Sequence, residues 1–589
     1  MKQYSIFLII AILSVIFKVD AQDKQYLKKY LEVLASDSLE GRKPGKPGGE
    51  KAADYIISVL KQNGIKPYGK DYRQPFYVVT DITLAKSNFI EIEDKKDFAV
   101  KKDFIPIAFT KNGKFEGDVV FAWYGFDFEA DGKKINDYDG ADVKGKWVMV
   151  LTDYPELKDD EKDIYSQFSS LRSKAITARD KGAIGIIFVQ GVTTDERDGL
   201  IPLTYDKSNA DAGIGVINIT RKVANKILSS QGKTIEKLEK EYAESKYEKH
   251  KAIDTHTQLL ANIGVLQKKA KTYNIIAYLP GQDEKLKNEW VIIGAHYDHL
   301  GYGGEGSGSR MPDTIAVHNG ADDNGSGSVA VLEIARAVKN MKHKRSIMFI
   351  WFGAEEMGLL GSKYFTDHPL IDLNNVAAMI NIDMLGRLRD NKLYVGGVGT
   401  SDVNKEIVEK ENKKYGFDLS LSEGGYGPSD HASFYMKNIP VLYFNTGIHE
   451  DYHTPFDDVD KINFEGMEKA SRYVRDVLID LANLDSKPKF KEAGEKFSGS
   501  RKYRYKVTLG IIPDFAGEEK RGLKVDGVRK GGPADLGGMK KGDIIIALDG
   551  KPVKNIYDYM ARLSKLHKGR VVTVEVIRGD EHKVLLVNL

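Results

Sequence analysis

The chain of 589 residues contains no cysteine. Disulfide bonds are therefore excluded, and so is a lipid anchor attached at an N-terminal cysteine. Any metal site must be built from His, Asp and Glu side chains, which suit hard and borderline divalent metals.

A strong excess of one charge is also missing. Lys and Arg together number 88 and Asp and Glu 85, which leaves a formal net charge of +3. Since nucleic-acid-binding proteins usually carry a pronounced basic excess, we expect no nucleic acid partner. The 41% hydrophobic and 29% charged residues are typical of folded domains, and the length favours two to four of them.

Long hydrophobic runs are confined to the N-terminus. The segment MKQYSIFLIIAILSVIFKVDAQ has a basic start at Lys2, an apolar run from Tyr4 to Phe17 and then a small residue, Ala21. This order predicts a signal peptide over residues 1–21, with an uncleaved anchor as the alternative. The run is shorter than the roughly 20 residues of a membrane helix. We therefore expect an exported mature protein, periplasmic or extracellular, without a membrane span.

Two series of strands follow along the chain. From about residue 110, short apolar strands separated by glycines and charged loops predict a β-rich region. From about residue 273, near-continuous apolar strands such as WVIIGAH and RSIMFIWF alternate with helices. This second pattern predicts an α/β fold with a mostly parallel mixed sheet flanked by helices. In such sheets ligands bind at the carboxyl ends of the strands.

Polar residues that could bind a metal come at the ends of these strands and in turns. They are His296 and Asp298 in AHYDH, Asp322 and Asp323 in GADDNGSGS, Glu355 and Glu356 in AEE, Asp383 in NID and His453 in EDYHTP. Asp298 lies two residues after His296, so in a strand both share a face and the carboxylate can accept the second imidazole N–H. One such pair alone is equally consistent with a structural histidine. Five such elements in one sheet favour a site for divalent metals.

The ordered series of motifs resembles the zinc peptidases of family M28, the co-catalytic di-zinc aminopeptidases. The resemblance runs from LASDSLEGRKPGKPGGEKAADYI through AHYDHLG, GADDNGSGS, FGAEEMGLLGS, NIDMLGR and SDHASFY to YHTPFDDVDKI. It implies a zinc-peptidase domain split between residues 22–111 and 263–485, which binds two Zn²⁺ per chain.

The resemblance also implies which residues bind the metals. By position in the motifs, the ligands are His296 and Asp383 for one zinc, Glu356 and His453 for the other, and Asp322 as the bridge between them. Asp298 would support His296, and the Asp322–Asp323 peptide bond would be cis.

Charge counting agrees with this ligand set. Two Zn²⁺ bring four positive charges and the three carboxylate ligands bring three negative charges, so the remaining charge suits a bridging hydroxide as the nucleophile. Glu355 is left off the metal and would act as the general acid–base. The alternative for this glutamate pair is a partly exposed strand end with one carboxylate capping the following turn.

Other polar residues near these motifs have roles apart from metal binding. Tyr426 lies where relatives place a tyrosine that donates to the oxyanion of the tetrahedral intermediate, and a loop tyrosine lining the pocket is the alternative. We interpret Asp430 and His431 as residues that hold their loop, and His299 and His318 as wall residues of the site.

An inserted module interrupts the peptidase sequence. Residues 112–262, which include DYDGADVKGKWVMVLTD and ITARDKGAIGIIFV, resemble a protease-associated (PA) domain. In relatives this domain shapes access to the active site, and a purely packing role is the alternative.

A second module follows a polar linker at residues 486–502. Residues 503–589 resemble a PDZ domain of the kind attached to bacterial proteases. The resemblance implies that a C-terminal peptide adds to a sheet edge beside the loop Leu509-Gly510-Ile511-Ile512. Docking on its own protease, without peptide binding, is the alternative.

Together these features predict an exported zinc metallopeptidase that hydrolyses the N-terminal bond of peptide substrates. A carboxypeptidase or dipeptidase of the same fold and a glutaminyl-cyclase-like acyltransferase are the rival enzymes. A non-catalytic peptide receptor is disfavoured, because all five ligands and Glu355 are present.

Overall fold

The computed structural model describes residues 24–589 except 131–132, 156–164, 167, 194, 206–210, 245–249, 494–506, 514–518 and 529–530. The signal peptide predicted at residues 1–21 lies outside the described residues. The chain divides into two compact units: the described residues of 1–80 and 269–498 form the first, and those of 81–268 and 499–589 form the second.

The elements are numbered along the chain. The described helices are α1 (residues 24–34), α2 (Pro47–Gln62), α3 (Leu171–Asp180), α4 (Arg221–Leu228), α5 (Ile235–Glu244), α6 (Gly327–Val338), α7 (Leu360–Asp367), α8 (Asn404–Tyr415), α9 (His431–Tyr435), α10 (Phe464–Asn483), α11 (Pro533–Leu536) and α12 (Ile556–Leu563). The strands of the first unit are β1 (Lys66–Pro67), β2 (Arg73–Leu84), β12 (Val265–Leu279), β13 (Trp290–His296), β14 (Ser346–Phe352), β15 (Val376–Ile382), β16 (Lys392–Gly396), β17 (Asp418–Ser422) and β18 (Val441–Asn445).

The remaining strands belong to the second unit. They are β3 (Phe89–Ile92), β4 (Phe104–Pro106), β5 (Gly113–Phe121), β6 (Asp127–Ala130), β7 (Lys133–Asn136), β8 (Trp147–Leu151), β9 (Gly185–Val189), β10 (Gly215–Ile219), β11 (Ile253–Ile263), β19 (Ile511–Pro513), β20 (Leu523–Val528), β21 (Ile544–Leu548), β22 (Lys551–Pro552), β23 (Val571–Arg578) and β24 (Glu581–Asn588).

The sheet of the first unit is mixed, with a parallel centre. Its strand order is β1-β12-β14-β13-β15-β18-β16-β17, and β2 pairs with β12. The central strands β14, β13, β15 and β18 run parallel, whereas β12 and β16 join them antiparallel. This confirms the predicted α/β fold with a mixed sheet.

Helices cover both faces of this sheet, which is why its central strands are mostly apolar on both faces. Along β13, Val291 and Ile293 enter one core, which also holds residues of α2, α6 and α10. Ile292 between them enters a second core on the opposite face, with Phe365 of α7 and Phe434 of α9. Alternate side chains of a strand point to opposite faces, so a strand covered on both faces has a nearly continuous run of apolar residues.

The second unit contains two sheets of its own. Residues 81–268, called the insert below, build a seven-stranded sheet in the order β3-β11-β5-β8-β9-β10-β4. Strands β5, β8, β9 and β10 are parallel, and β8, β9 and β10 are buried along their whole length. The C-terminal part forms a separate sheet in the order β19-β20-β21-β23-β24, with β22 beside β21.

The insert begins earlier in the chain than the predicted residue 112. Strands β3 and β4 precede that position, yet β3 pairs with β11 and β4 with β10, so they form the two edges of the insert sheet. Their partners lie more than 100 residues away, and local sequence patterns carry no information on such pairing.

The first part of the predicted linker is packed on the first unit. The backbone N–H of Lys491 donates to the carbonyl of Thr400 at 2.8 Å, and the ring of Phe490 contacts that of Tyr435. Residues 494–502 of the predicted linker lie outside the described residues. In the described part of the chain, we find no helix with the length and hydrophobicity to cross a bilayer.

Candidate metal centre

Three neighbouring parallel strands deliver polar side chains to one edge of the sheet. The order β14-β13-β15 places the ends of these strands side by side. His296 ends β13, Glu355 and Glu356 follow β14 after a two-residue turn, and Asp383 follows β15 directly. The predicted location at the carboxyl ends of the strands is therefore found.

The turn Ala321–Ser326, which precedes α6, contributes the central carboxylate, Asp323. Asp323 Oδ1 lies 3.4 Å from His296 Nε2, and Asp323 Oδ2 lies 3.0 Å from His453 Nε2. One carboxylate thus turns its two oxygens towards two different histidines, as a bridging ligand between two metals does.

The first group of donors consists of His296, Asp323 and Asp383. His296 Nε2 is 3.4 Å from both Asp323 Oδ1 and Asp383 Oδ1. Asp383 Oδ1 is buried and has no hydrogen-bond partner among the described residues. For a tetrahedral zinc with bonds of about 2.05 Å, two ligand atoms lie about 3.4 Å apart. These donors are therefore spaced as ligands of one ion.

The second group shares Asp323 and adds Glu356 and two histidines. Glu356 Oε2 is 3.2 Å from His453 Nε2, and Glu356 Oε1 is 2.9 Å from His299 Nδ1. One donor atom each of His299, Asp323 and Glu356 lies within 4.8 Å of the others. Nitrogen and carboxylate oxygen donors in this number fit zinc.

The prediction that Asp322 is the bridging ligand is wrong by one residue. Asp322 Oδ1 accepts hydrogen bonds from the Ser326 hydroxyl at 2.9 Å and the Gly386 N–H at 2.6 Å, and its Oδ2 lies 3.3 Å from His449 Nε2. Its side chain is thus held away from both donor groups, because the extended backbone at Asp323 directs adjacent side chains differently. The cis peptide bond is likewise Asp323–Asn324, not Asp322–Asp323.

Asp298 has a different partner from the one predicted. Its carboxylate accepts the backbone N–H groups of Glu355 at 3.0 Å and Glu356 at 3.3 Å. His296 Nδ1 instead lies 3.2 Å from the backbone carbonyl of Asp298, and 3.9 Å from its carboxylate. Asp298 therefore fixes the turn that carries both glutamates, and its main chain fixes the imidazole.

Glu355 lies beside the two donor groups and belongs to neither. Its Oε2 is 4.0 Å from His296 Nε2, farther than the other carboxylates of the first group. Burial, together with the charges of Glu356 and Asp383, raises the pKa of Glu355 well above its usual value. A carboxyl group with a raised pKa can exchange a proton near neutral pH.

The carboxylates of this site create a strong demand for positive charge. Burial alone would lower the pKa of both histidines, but Glu355 and Asp383 raise that of His296 well above its usual value. Contacts with Asp323 and Glu356 raise the pKa of His453 to about 10. The negative charge that raises the pKa of these two histidines also favours the binding of divalent cations in place of the protons.

Arg42, which the sequence reasoning missed, ties three segments together behind the site. Its guanidinium is fully buried and donates to the carbonyls of Tyr297 at 2.7 Å, Leu34 at 2.9 Å and Gly320 at 2.9 Å, and also to that of Asn319. Burial lowers the pKa of Arg42 to about 10, so it stays charged at neutral pH. Gly320 has a positive φ of 51°, and an added Cβ would collide with the carbonyl oxygen of Asp323.

Asp457 is a second residue that the sequence reasoning missed. Its Oδ2 accepts the backbone N–H groups of Asp322 at 2.9 Å and Asp323 at 3.0 Å, and its Oδ1 lies 3.2 Å from Arg387 Nη2. It therefore holds the backbone of the turn that carries the bridging carboxylate. His299, predicted to be a wall residue, directly contacts the carboxylate of Glu356, a candidate metal ligand.

The remaining predicted site residues are placed as follows. Tyr426 is 37% exposed and its ring packs edge-on against Tyr435. None of the described hydrogen bonds or ion pairs joins it to the donor groups, so its catalytic role stays a prediction. In the C-terminal loop, Leu509 is buried and Gly510 has a positive φ of 74°, whereas the side chain of Ile512 is not described.

Parts of the chain are similar to known peptidases and to PDZ domains. Residues 274–478 match the profile described as "Peptidase family M28", and residues 505–589 match that of the PDZ domain. Aminopeptidase YwaD of Bacillus subtilis is 30% identical over 364 residues, which cover 59% of this chain and 65% of that protein. A probable leucine aminopeptidase of Arthroderma otae is 28% identical over 325 residues, which cover 50% of this chain and 82% of that protein.

Among solved structures, a zinc aminopeptidase from Bacillus subtilis, BSAP, aligns with a TM-score of 0.46 at 22% identity. The alignment covers 80% of this chain and 98% of that one. The match to YwaD thus covers less than two thirds of the length of that relative.

The two neighbouring aspartates of the turn provide a direct test of the bridge. We expect Asp323→Asn to bind less Zn²⁺ per chain than the unchanged protein, because each of its oxygens faces one donor group. The isosteric Asp322→Asn should retain the zinc content of the unchanged protein, with a loss of affinity of at most about tenfold, since it acts only on the surrounding network. Metal content measured by mass spectrometry after dialysis against zinc buffers distinguishes the two, and greater loss in Asp322→Asn would contradict the assignment.

Arg42 provides a test of how the site is held. Arg42→Leu leaves buried carbonyls without a donor, so we expect a loss of about 3 kcal/mol or more in unfolding free energy. The matched change Arg197→Leu, at a side chain that is 94% exposed, should shift stability by less than about 0.5 kcal/mol. Thermal unfolding of both variants is the measurement, and equal melting temperatures would refute the role given to Arg42.

Proposed function

We propose that this chain is a zinc-dependent metallo-aminopeptidase, because residues 274–478 match peptidase family M28. Its substrates would be peptides, from which it removes the N-terminal residue. The proposal is supported by the two curated relatives, which are named aminopeptidases, and by donor groups whose chemistry fits zinc.

One observation carries the proposal of two zinc ions. Asp323 directs one oxygen to His296 and the other to His453, and each histidine has a further carboxylate partner. The residues that would hold the first ion are His296, Asp323 and Asp383, and those that would hold the second are Asp323, Glu356 and His453.

Glu355 is the group that would move the proton. When bound, zinc polarises a carbonyl oxygen and makes water a nucleophile near neutral pH. The Glu355 carboxylate would take a proton from the attacking water and deliver it to the leaving amine. Asp298 keeps Glu355 at this point, because its carboxylate holds the backbone N–H of Glu355. Tyr426 would donate to the oxyanion of the tetrahedral intermediate.

Two further parts of the proposal concern the ends of the chain. The basic and apolar segment at residues 1–21 supports export to the periplasm or beyond. The PDZ domain supports recognition of a C-terminal peptide beside Leu509–Ile512, by addition of a strand to β19.

Side-by-side assays decide between the aminopeptidase and its rivals. Purified protein is incubated with an aminoacyl peptide, a peptide blocked at its N-terminus and an N-terminal glutaminyl peptide, and the products are identified by mass spectrometry. We expect release of the free N-terminal amino acid, loss of activity with a chelator and recovery with Zn²⁺. Release from the C-terminus, or a cyclised product without hydrolysis, would replace the proposal by one of the rival enzymes.

Substitutions at the two adjacent glutamates should have different effects on turnover and on zinc binding. Glu355→Gln should bind zinc as the unchanged protein does and lose about 10²- to 10⁴-fold in kcat, which is the usual contribution of a general base. Glu356→Gln should lower zinc affinity, because it removes a ligand charge. Titration with a zinc indicator and turnover measured at saturating zinc separate these effects. Full turnover in Glu355→Gln would exclude it as the base.

A further inference from the structure

Two helices of the second unit carry complementary charges in crossed order. In the PDZ domain, α12 places Asp558 and Arg562 four residues apart and therefore on one face. In the insert, α3 ends with Arg179 and Asp180. Arg179 Nη2 donates to Asp558 Oδ1 at 2.9 Å, and Arg562 Nη2 donates to Asp180 Oδ1 at 2.9 Å. Each helix thus offers one cation and one anion to the other.

These charges are buried on the PDZ side. The side chains of Asp558 and Arg562 are only 1% and 3% exposed. Asp and Arg are rarely buried to this extent unless they are paired. The charged partners that α3 supplies therefore account for the burial of these two groups.

Contacts inside each domain hold the charged groups in place. The second oxygen of Asp558 accepts the backbone N–H of Lys554 at 2.9 Å, and Arg562 Nη2 also donates to the carbonyl of Pro552 at 3.1 Å. On the insert, Arg179 Nη1 donates to the carbonyl of Ala212 at 3.1 Å. The groups are therefore preorganised, which lowers the entropy lost when the two surfaces meet.

Contacts at both ends of α12 extend the interface. The guanidinium of Arg172 lies 4.0 Å from the centre of the Tyr557 ring, which is a cation–π geometry. Past the other end, Lys565 Nζ donates to the backbone carbonyl of Asp127 at 3.1 Å. Burial lowers the pKa of Lys565, as expected of an ammonium group covered by a partner.

We propose that the insert is the resident partner of the PDZ domain, and that it is held on the outer face of α12 by the crossed pairs Arg179–Asp558 and Arg562–Asp180. The two domains then behave as one body. Buried ion pairs add little net stability but fix orientation, because a shifted docking would leave charges buried and unpaired. None of these contacts uses the loop Leu509–Ile512, so this docking and peptide binding are separate properties of the domain.

A distance measurement tests the docking in the full chain. The protein has no cysteine, so Lys222→Cys in the insert and Lys568→Cys in the PDZ domain, both exposed, can be spin-labelled specifically. Pulsed electron paramagnetic resonance should give one narrow distance distribution. Asp180→Arg or Arg562→Asp should each broaden it at least twofold, and the double variant should recover at least half of the original sharpness.

Two variants serve as controls for this measurement. Asp180→Arg changes only the insert, so the PDZ domain keeps its own contacts even if Arg562→Asp disturbs it. Arg570→Asp breaks an exposed ion pair within the PDZ domain, to Asp549 at 2.7 Å, and should leave the distribution unchanged. A broad distribution in the starting protein, single variants that match Arg570→Asp, or no recovery in the double variant would each overturn the proposal.

Discussion

A concentration of buried carboxylates that requires cations is the constraint on which the first unit depends. Asp323, Glu355, Glu356 and Asp383 converge where three parallel strands end side by side. Burial of an unpaired carboxylate costs several kcal/mol, so such a group persists only where positive charge meets it. The donor atoms are spaced at 3.0 to 3.4 Å, a separation that suits ligands of a shared metal ion.

The residues that support this cluster act mainly on the main chain. Asp298 holds the N–H groups of Glu355 and Glu356, Asp457 holds those of Asp322 and Asp323, and Arg42 holds the carbonyls of the surrounding loops. The backbone that carries these carboxylates is thereby fixed by groups that do not belong to the two donor groups. This division explains how several like charges can be aimed at one point, since each is positioned by groups other than its neighbours.

Much of this arrangement could be predicted from the sequence, and the exceptions have physical causes. Continuous apolar strands such as WVIIGAH predicted a doubly covered sheet, and the polar residues expected at the strand ends do lie close together at one edge of it. The choice between Asp322 and Asp323 failed because the turn has no regular period, so spacing does not determine which side chain faces the metals. The contact of His299 with Glu356 depends on two segments that are distant in the sequence. The same holds for β3 and β4, which pair with distant strands and extend the insert towards residue 81. A local sequence pattern contains no information on such pairing.

The most direct test of the account is a crystal structure with diffraction data measured at the zinc absorption edge. We expect two anomalous peaks per chain, about 3.5–4 Å apart. One oxygen of Asp323 should lie at each peak, and Glu355 should be bound to neither. A single peak, or two peaks joined by Asp322, would contradict the bridging role on which the proposed function rests.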